Sequence, residues 1–194
     1  MIPYKWIATT AIQIGRLLFG WWRTIKREKE QIQAQANLER VLKVGDTMAE
    51  ILALLPSAKR VFLLRTNDNG RDMAPGVDWF GTITDEVYDR NVKPSKPNFQ
   101  KILLDNDYKE KVVKIGREGV MYIAKRDVNP NTLIEGVFEH DNVELAIVHK
   151  ILYLKKRQFL LVVQFDSEKI KELPQRLYLL KSRVDRIRGL MEQD

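Results

Sequence analysis

The sequence predicts an α/β (α+β) fold, in which an antiparallel sheet is flanked by long N- and C-terminal helices and preceded by an apolar N-terminal helix. Three observations predict it. Strand-like segments fill the middle of the 194-residue chain, heptad-spaced apolar residues lie on both sides of them, and an aromatic-rich apolar stretch comes first. The predicted division is residues 1–30 for the apolar helix, residues 31–56 for a heptad helix, and residues 57–194 for the sheet domain with its final heptad helix.

The N-terminal stretch combines a wide apolar face with a narrow polar stripe and a cationic collar. Thr9, Gln13, Arg16 and Gly20 recur at helical spacing and form the stripe. Because a water-exposed helix does not carry so many aromatic and aliphatic residues, we expect the segment to bury itself in an anionic membrane or against a membrane-protein partner. The residues expected to make this contact are Trp6, Ile12, Arg16, Leu17, Phe19, Trp21, Trp22, Arg23, Lys26 and Arg27.

Three placements of this segment compete. As a helix, residues 6–22 span roughly 25 Å, slightly less than the roughly 30 Å hydrocarbon core, so a transmembrane helix is the first placement and must hide Arg16 in an oligomer. In the second, the helix lies in the membrane interface, with Trp21 and Trp22 at headgroup level. The third is an arm docked on a partner protein. The membrane is favoured, with the sheet domain kept in the cytoplasm by the basic residues that follow the segment.

Two helices with heptad spacing are predicted beside the sheet. The first runs from Lys26 to Leu55 and ends before Pro56, which disfavours a helical conformation in the preceding residue. The second occupies most of the chain after residue 167. Because each is apolar along a seam and beside it, we expect a homodimer or a larger symmetric oligomer built on a four-helix bundle, with packing inside a monomer as the alternative. The expected interface residues are Leu38, Val41, Met48, Leu52, Leu177, Leu180, Val184 and Ile187.

Between these helices the sequence alternates between strand patterns and loops. Strands are predicted at residues 60–66, 77–83, 111–114 and 119–124, a turn at 67–70, a short helix at 98–106, and a short helix or loop at 131–142. Asp105, Asn106 and Asp107 are interpreted as the end of the short helix. The clearest pairing is an antiparallel hairpin of residues 144–154 and 158–166, which runs into the C-terminal helix.

This order of elements resembles the GAF domain, a small α/β sensory module. The shared order is a helix, a strand pair, an elaborated loop-and-helix region, a return strand, a final hairpin and a C-terminal helix. The resemblance covers residues 30–194 and is most family-like from Ala146 to Asp166 and in the helix that follows. A PAS-like sheet is the competing resemblance, but helices that pack together from both ends are more similar to GAF. The resemblance implies the fold and the mode of dimerisation.

The ligand motifs of the GAF family are not carried over to this sequence. Cyclic-nucleotide-binding members have an Asn-Lys pair, followed later by Phe, three residues and Asp-Glu. Here four residues separate Phe80 from Asp85 and Glu86, and no Asn-Lys pair precedes them. Chromophore-binding members and the related free-methionine-sulfoxide reductases need a cysteine, and this chain has none. We therefore expect no cofactor.

Composition and charge exclude further classes of function. Without cysteine the chain has no disulfides, thiolate zinc sites or cysteine nucleophile. The net charge of +7 is uneven, since residues 1–60 carry 10 basic against 5 acidic residues, whereas residues 61–167 carry 16 of each. A nucleic-acid-binding domain needs its basic residues on the folded surface, so nucleic acid is not an expected partner. Gly116 and Gly119 lack the spacing and the following Lys-Ser/Thr of a phosphate-binding loop.

The remaining polar candidates do not predict an enzyme. Glu139, His140 and Asp141 are interpreted as a solvated turn, and His149 as a histidine within a strand. The sequence therefore predicts a non-catalytic, membrane-associated sensory, regulatory or scaffold module, whose residues 72–142 hold a small-molecule ligand or a protein partner. The alternative is a structural assembly protein, a component of a membrane complex or virus particle, in which residues 1–30 dock on neighbouring subunits.

Overall fold

The computed structural model describes residues 4–66, 77–154, 157–168, 170 and 173–192, and side chains from residue 26 onward except those of residues 28 and 154. The chain divides into two compact units, residues 1–42 and 43–194. The turn predicted at residues 67–70 lies outside the described residues, as do residues 155 and 156, which connect the two strands of the predicted hairpin.

Helix α1, Tyr4–Leu54, covers both helical segments predicted for this part of the chain. In the first unit, the α1 side chains of Ile32, Leu38, Val41 and Leu42 are exposed. A membrane-spanning helix is one of the three placements expected for the N-terminal stretch. Across the part of the chain that the structure describes, no helix combines the length and the hydropathy needed to cross a membrane.

The second unit is built around a six-stranded sheet. After α1, the elements of this unit are, in chain order, β1 (Ala58–Thr66), β2 (Phe80–Tyr88), β3 (Ile102–Leu103), α2 (Asn106–Glu118), β4 (Val120–Ala124), a 3₁₀ turn (Lys125–Asp127), α3 (Leu133–His140), β5 (Leu145–Leu154), β6 (Arg157–Phe165) and α4 (Leu173–Met191). The strand order is β3-β2-β1-β6-β5-β4, and each pair of neighbours is antiparallel. The predicted fold class is confirmed.

The central strands are apolar on both faces because both faces of the sheet are covered. In β1, Val61 and Leu63 point to one side of the sheet, and Phe62 and Leu64 point to the other. The first face packs against α4 and the part of α1 that belongs to the second unit, whereas the second face packs against α2 and α3. The helix residues buried on the first face are Val44, Met48, Ile51, Leu180, Val184 and Ile187, and those on the second are Val112, Ile115, Ile134 and Phe138.

Several residues predicted to form a dimer interface are part of this core. Met48, Leu180, Val184 and Ile187 are at most 2% exposed, so their heptad spacing is explained by packing on the sheet of the same protomer. Leu52 is partly buried against the same cluster. Leu38, Val41 and Leu177 are exposed, at 60%, 58% and 37% respectively. The dimer itself stays a prediction.

The prediction of a short helix at residues 98–106 and a strand at 111–114 is wrong, because the helix α2 begins where the sequence reading placed a helix end. Asp105 is the N-cap, and its Oδ1 accepts a hydrogen bond from the backbone N–H of Tyr108 at 2.8 Å. Val112 and Ile115 then form the buried face of the helix. Gly119 ends it in a positive-φ conformation (φ 81°) that favours glycine.

The strand predicted at 77–83 overlaps β2 only in part, because β2 begins at Phe80 and continues to Tyr88. The strand predicted at 60–66 lies within β1, and the elements below also agree with the structure. The hairpin is β5 and β6, with an irregularity in register between Lys150 and Leu152. The predicted strand at 119–124 is β4. The segment at 131–142, predicted as a helix or loop, contains α3, whose N-cap Thr132 accepts a hydrogen bond from the backbone N–H of Glu135 at 3.3 Å.

Candidate functional site

A cavity of about 370 Å³ lies on the second face of the sheet, between the strands, α3 and the loop of residues 89–101. We call this loop the cover loop. The cavity is lined by Phe62, Ile83, Ser95, Asn98, Phe99, Ile102, Tyr108, Leu133, Gly136, Val137, His140, Asp141 and Gln164. Its volume falls at the lower end of the range of roughly 300–1,000 Å³ that small-molecule sites occupy.

Most of the cavity wall is apolar. Leu133, Gly136, Val137 and His140 follow helical i, i+3, i+4, i+7 spacing, so one face of α3 forms a side of the cavity. The cover loop contributes Phe99, whose ring lies 6.5 Å from that of Tyr108 at an interplanar angle of 38°. A smaller cavity of about 50 Å³ is lined by several of the same residues and extends towards α2. The site is thus shaped for an apolar group.

A buried charged cluster closes one end of the cavity. Arg60 on β1 is only 1% exposed, and its Nε lies 2.8 Å from Oε1 of Glu86 on β2. The N–H does not point along this line, so the contact is ionic rather than a hydrogen bond. Nη1 donates to Oε1 of Gln164 at 2.9 Å and to Oδ2 of Asp141. A buried arginine is stable here because carboxylates and amide oxygens surround it.

The same cluster holds the cover loop in place. Nη2 of Arg60 donates to the backbone oxygen of Lys93 at 2.6 Å. The Glu86 carboxylate accepts the backbone N–H groups of Ser95 and Lys96, each at 2.9 Å. Ser95 Oγ in turn donates to Oδ2 of Asp141 at 2.8 Å. The position of the loop over the cavity therefore depends on this ionic cluster.

Asp141 is the acidic group that lines the cavity. Burial raises its pKa, but hydrogen bonds from His140 and Ser95 and the charge of Arg60 outweigh burial and hold the pKa below its usual value. Nδ1 of His140 lies 3.0 Å from Oδ1 of Asp141. The carboxylate is therefore ionised at neutral pH. The interpretation of Asp141 as part of a solvated turn is wrong, whereas the side chain of His140 is indeed 72% exposed.

The polar groups at the site do not form a nucleophile and base. Ser95 and His140 both contact Asp141 instead of one another, and nucleophilic catalysis by serine needs a base within hydrogen-bond reach of the hydroxyl. The described residues hold no group of three metal-binding side chains. Burial, with a smaller effect of Asp105, raises the pKa of Tyr108, so it stays a neutral phenol. The arrangement is suited to binding.

The sequence located this site only in part. The predicted ligand region, residues 72–142, supplies most of the wall, but Phe62 and Gln164 lie outside it, as does Arg60. An arginine at the start of an otherwise apolar strand is the signal that a buried partner was needed. For the N-terminal contact residues, the side chains from Trp6 to Arg23 lie outside the described residues, and Lys26 and Arg27 are exposed.

Comparison with solved structures identifies the fold. The chain is similar to the phycocyanobilin-bound GAF domain of a cyanobacterial phytochrome, with TM-score 0.57 and 17% identity over 84% of this chain and 90% of that one. It is similar to GAF3 of Slr1393 from Synechocystis sp. PCC6803, with TM-score 0.59 and 14% identity over 79% and 94% of the two chains. The GAF domain of a two-component sensor histidine kinase from Bacillus halodurans gives TM-score 0.53 and 12% identity over 77% and 92%.

These similarities show that the chain has a GAF-like fold, as the order of its elements predicted. At identities below 20% they show the fold alone. No protein-family model matches the sequence, and no curated protein matches it significantly.

The cavity does not fit the bilin that some of these structures hold. A bilin carries two propionates, which need cationic partners, and neither Lys nor Arg is among the side chains lining the described cavity. The chain also has no cysteine to form a thioether with it. The described cavity therefore differs from a bilin site in the chemistry of its lining.

Proposed function

We propose that this chain is a non-catalytic sensory or regulatory module that binds a small molecule in the cavity between its sheet and its cover loop. The observation that carries the proposal is the cavity itself. It is a cleft of about 370 Å³ lined mainly by large apolar side chains with a few polar groups, which is the usual form of a small-molecule site. A GAF-like fold is consistent with this function, because the similar structures include sensor domains.

The cluster around Arg60 supplies a route from the ligand to the rest of the domain. A ligand that contacts Ser95 or Asp141 meets groups that bond Arg60 and Glu86, and these also fix the cover loop. A ligand shifts such a system only if it binds one arrangement of the loop better than another. The loop carries both a wall of the cavity and the bonds to the cluster, so its position is the property that a ligand would change.

The proposal places the module at a membrane through its N-terminal segment. Trp21 and Trp22 suit the interface, and the basic residues that follow them suit the anionic cytoplasmic leaflet. The described side chains of this collar, Lys26 and Arg27, are exposed to solvent. We place the sheet domain on the cytoplasmic side.

A ligand screen on the full chain and two variants tests the proposal. Gly136→Leu narrows the cavity, since a Cβ at Gly136 meets no atom within 4 Å and the helix accepts leucine. Gly189→Leu is the matched control, because Gly189 lies in α4 with the same free space and is not among the cavity residues. We expect small molecules that raise the thermal unfolding temperature of the wild type and of Gly189→Leu but not of Gly136→Leu. Equal stabilisation of all three proteins, or of none by any molecule, contradicts the proposal.

A further inference from the structure

We infer that the ligand of the cavity is a small organic cation with an aromatic or aliphatic body, held through its ammonium group by Asp141. This inference rests on the proposed function and names the class of ligand. It draws on the shape of the cavity, on the balance of charge at its polar end and on the unfilled bonding capacity of one carboxylate oxygen.

The apolar wall selects the body of the ligand. Phe62, Ile83 and Phe99 face the cavity together with Ile102, Leu133 and Val137, and a polar molecule would lose its hydration among them without replacement. The volume of about 370 Å³ accepts a single ring with a short side chain. Asp141, Ser95 and Gln164 form a polar end, where the cavity meets the charged cluster. A ligand with one apolar part and one polar end matches this division.

The charged residues at the polar end of the cavity determine whether the head group of the ligand is a cation or an anion. The guanidinium of Arg60 is shared by the carboxylates of Glu86 and Asp141, and of these two acids only Asp141 lines the cavity. Lys59 lies on the outer side of this cluster and donates to the backbone oxygens of Asp141 and Asn142, at 3.2 and 3.1 Å, instead of to the carboxylate. The cavity therefore presents one ionised carboxylate and neither lysine nor arginine among its described lining residues, and this favours a cationic head group over an anionic one.

Asp141 has room for one more donor. A carboxylate offers about four lone-pair positions, and three are used here, by Arg60 and Ser95 on Oδ2 and by His140 on Oδ1. His140 is mostly exposed, so a ligand displaces it at little cost. An ammonium has three donors, of which one bonds Oδ1 while the others reach the amide and hydroxyl groups at the same end. Anions such as phosphates and carboxylates are disfavoured by the same charge.

Three molecules of one shape test the sign of the charge: phenethylamine, 2-phenylethanol and phenylacetate share a phenyl ring and a short chain but are cationic, neutral and anionic. Their binding to the full chain is measured by isothermal titration calorimetry at neutral pH. We expect the amine to bind at least about tenfold more tightly than the alcohol, about 1.4 kcal/mol, and phenylacetate to bind weakest. Tightest binding of the alcohol or of the acid overturns the inference and leaves the proposed function standing.

Two variants locate the cation. Asp141→Asn removes the negative charge. We expect it to weaken the binding of phenethylamine at least about tenfold and to leave the affinity for 2-phenylethanol unchanged. Because Asp141 also bonds Arg60, folding of this variant is checked by thermal unfolding.

The variant His140→Ala gives a second test, which leaves the bonds of Arg60 in place. It removes the histidine partner of Asp141 Oδ1, so we expect phenethylamine to bind more tightly. Glu139→Ala changes an exposed neighbour outside the cavity and is expected to leave binding of the amine unchanged. Unchanged amine affinity in a folded Asp141→Asn, or weaker affinity in His140→Ala, overturns the inference.

If none of the three molecules binds but the ligand screen finds a cavity ligand without a positive charge, the inference is overturned and the proposed function stands. If no molecule of any class binds the cavity, both are overturned.

Discussion

The buried side chain of Arg60 has the largest predicted effect at the scale of single residues. Arg60→Met leaves Glu86 and Asp141 buried without their shared cation. Removing one partner of a buried charged group typically costs about 3–5 kcal/mol, so we expect the free energy of unfolding to fall by that amount in urea titrations. The hydrogen bond from Arg60 to the backbone oxygen of Lys93 in the cover loop is lost as well.

Arg186→Met is the control for Arg60→Met. Arg186 is half exposed and pairs with Glu50 at 3.0 Å, and such surface pairs contribute about 0–1 kcal/mol. A loss for Arg60→Met that is as small as the loss for Arg186→Met would show that the cluster does not stabilise the domain.

The lowered pKa of His149 is expected to make the stability of the fold depend on pH. Burial, and secondarily the charge of Arg188, lowers its pKa to about 4, and Asp185 opposes this effect. In the unfolded chain the pKa is about 6.5, so the unfolded state takes up a proton first as the pH falls. The stability contributed by neutral His149 is therefore complete above about pH 6.5 and is lost progressively down to about pH 4.

The variant His149→Leu isolates this effect. It cannot titrate, and it removes a ring nitrogen, Nε2, that is buried without a hydrogen-bond partner. We expect its free energy of unfolding to exceed that of the wild type, by a margin that grows as urea titrations move from about pH 7.5 to about pH 4.5. A margin that is constant with pH would contradict the lowered pKa.

At the scale of single residues, the sequence predicted which apolar residues are buried better than it predicted which charged residues pair with one another. The apolar residues of β1 and β6 follow from pattern, because a continuous apolar run indicates a strand covered on both faces. The pairing of Arg60 with Asp141 joins residues 81 positions apart and depends on the strand order and on where α3 ends. No local pattern carries that information, which is why Asp141 was interpreted as solvated.

At the scale of elements, two glycines with different backbone conformations predict opposite effects. Gly136 lies inside α3, where glycine costs helix stability and a Cβ has free space, so Gly136→Ala is expected to raise the free energy of unfolding by about 0.5–1 kcal/mol. Gly119 ends α2 with a positive φ, so Gly119→Ala is expected to lower it by about 1 kcal/mol. Chemical denaturation of both variants checks this, and a change of the same sign in both would refute it.

The helices and strands also show where prediction from the local sequence pattern succeeds and where it fails. The hairpin β5–β6 was predictable because both strands are long, apolar and adjacent in sequence. Helix α2 was missed because Asp105 favours both the end of one helix and the start of the next, and only tertiary packing of Val112 and Ile115 decides between them. The conformation of the cover loop could not be foreseen, since it depends on Glu86 and Arg60 in separate strands.

At the scale of the whole molecule, the proposed membrane attachment depends on the first 30 residues. A chain that starts at Gln31 keeps all of the second compact unit, residues 43–194. We expect the full chain to sediment with vesicles that contain anionic lipid and to be released in part by high salt, as expected for interfacial binding through basic residues. The shortened chain is expected to stay in the supernatant.

Membrane attachment through residues 1–30 is contradicted if the full chain and the shortened chain behave alike, whether both remain in solution or both sediment. Equal binding of the full chain to neutral and anionic vesicles would contradict the role given to the basic collar.

The most direct measurement is a titration of the full chain with benzene, followed by NMR of its methyl groups. An apolar cavity of this size takes up benzene without any requirement for charge, so the result depends only on whether the cavity accepts a ligand. We expect saturable shifts confined to the methyl groups of Ile83, Ile102, Leu133 and Val137, and their loss in Gly136→Leu. Shifts that do not saturate, or that are spread evenly over both faces of the sheet, would show that the cavity is not a binding site.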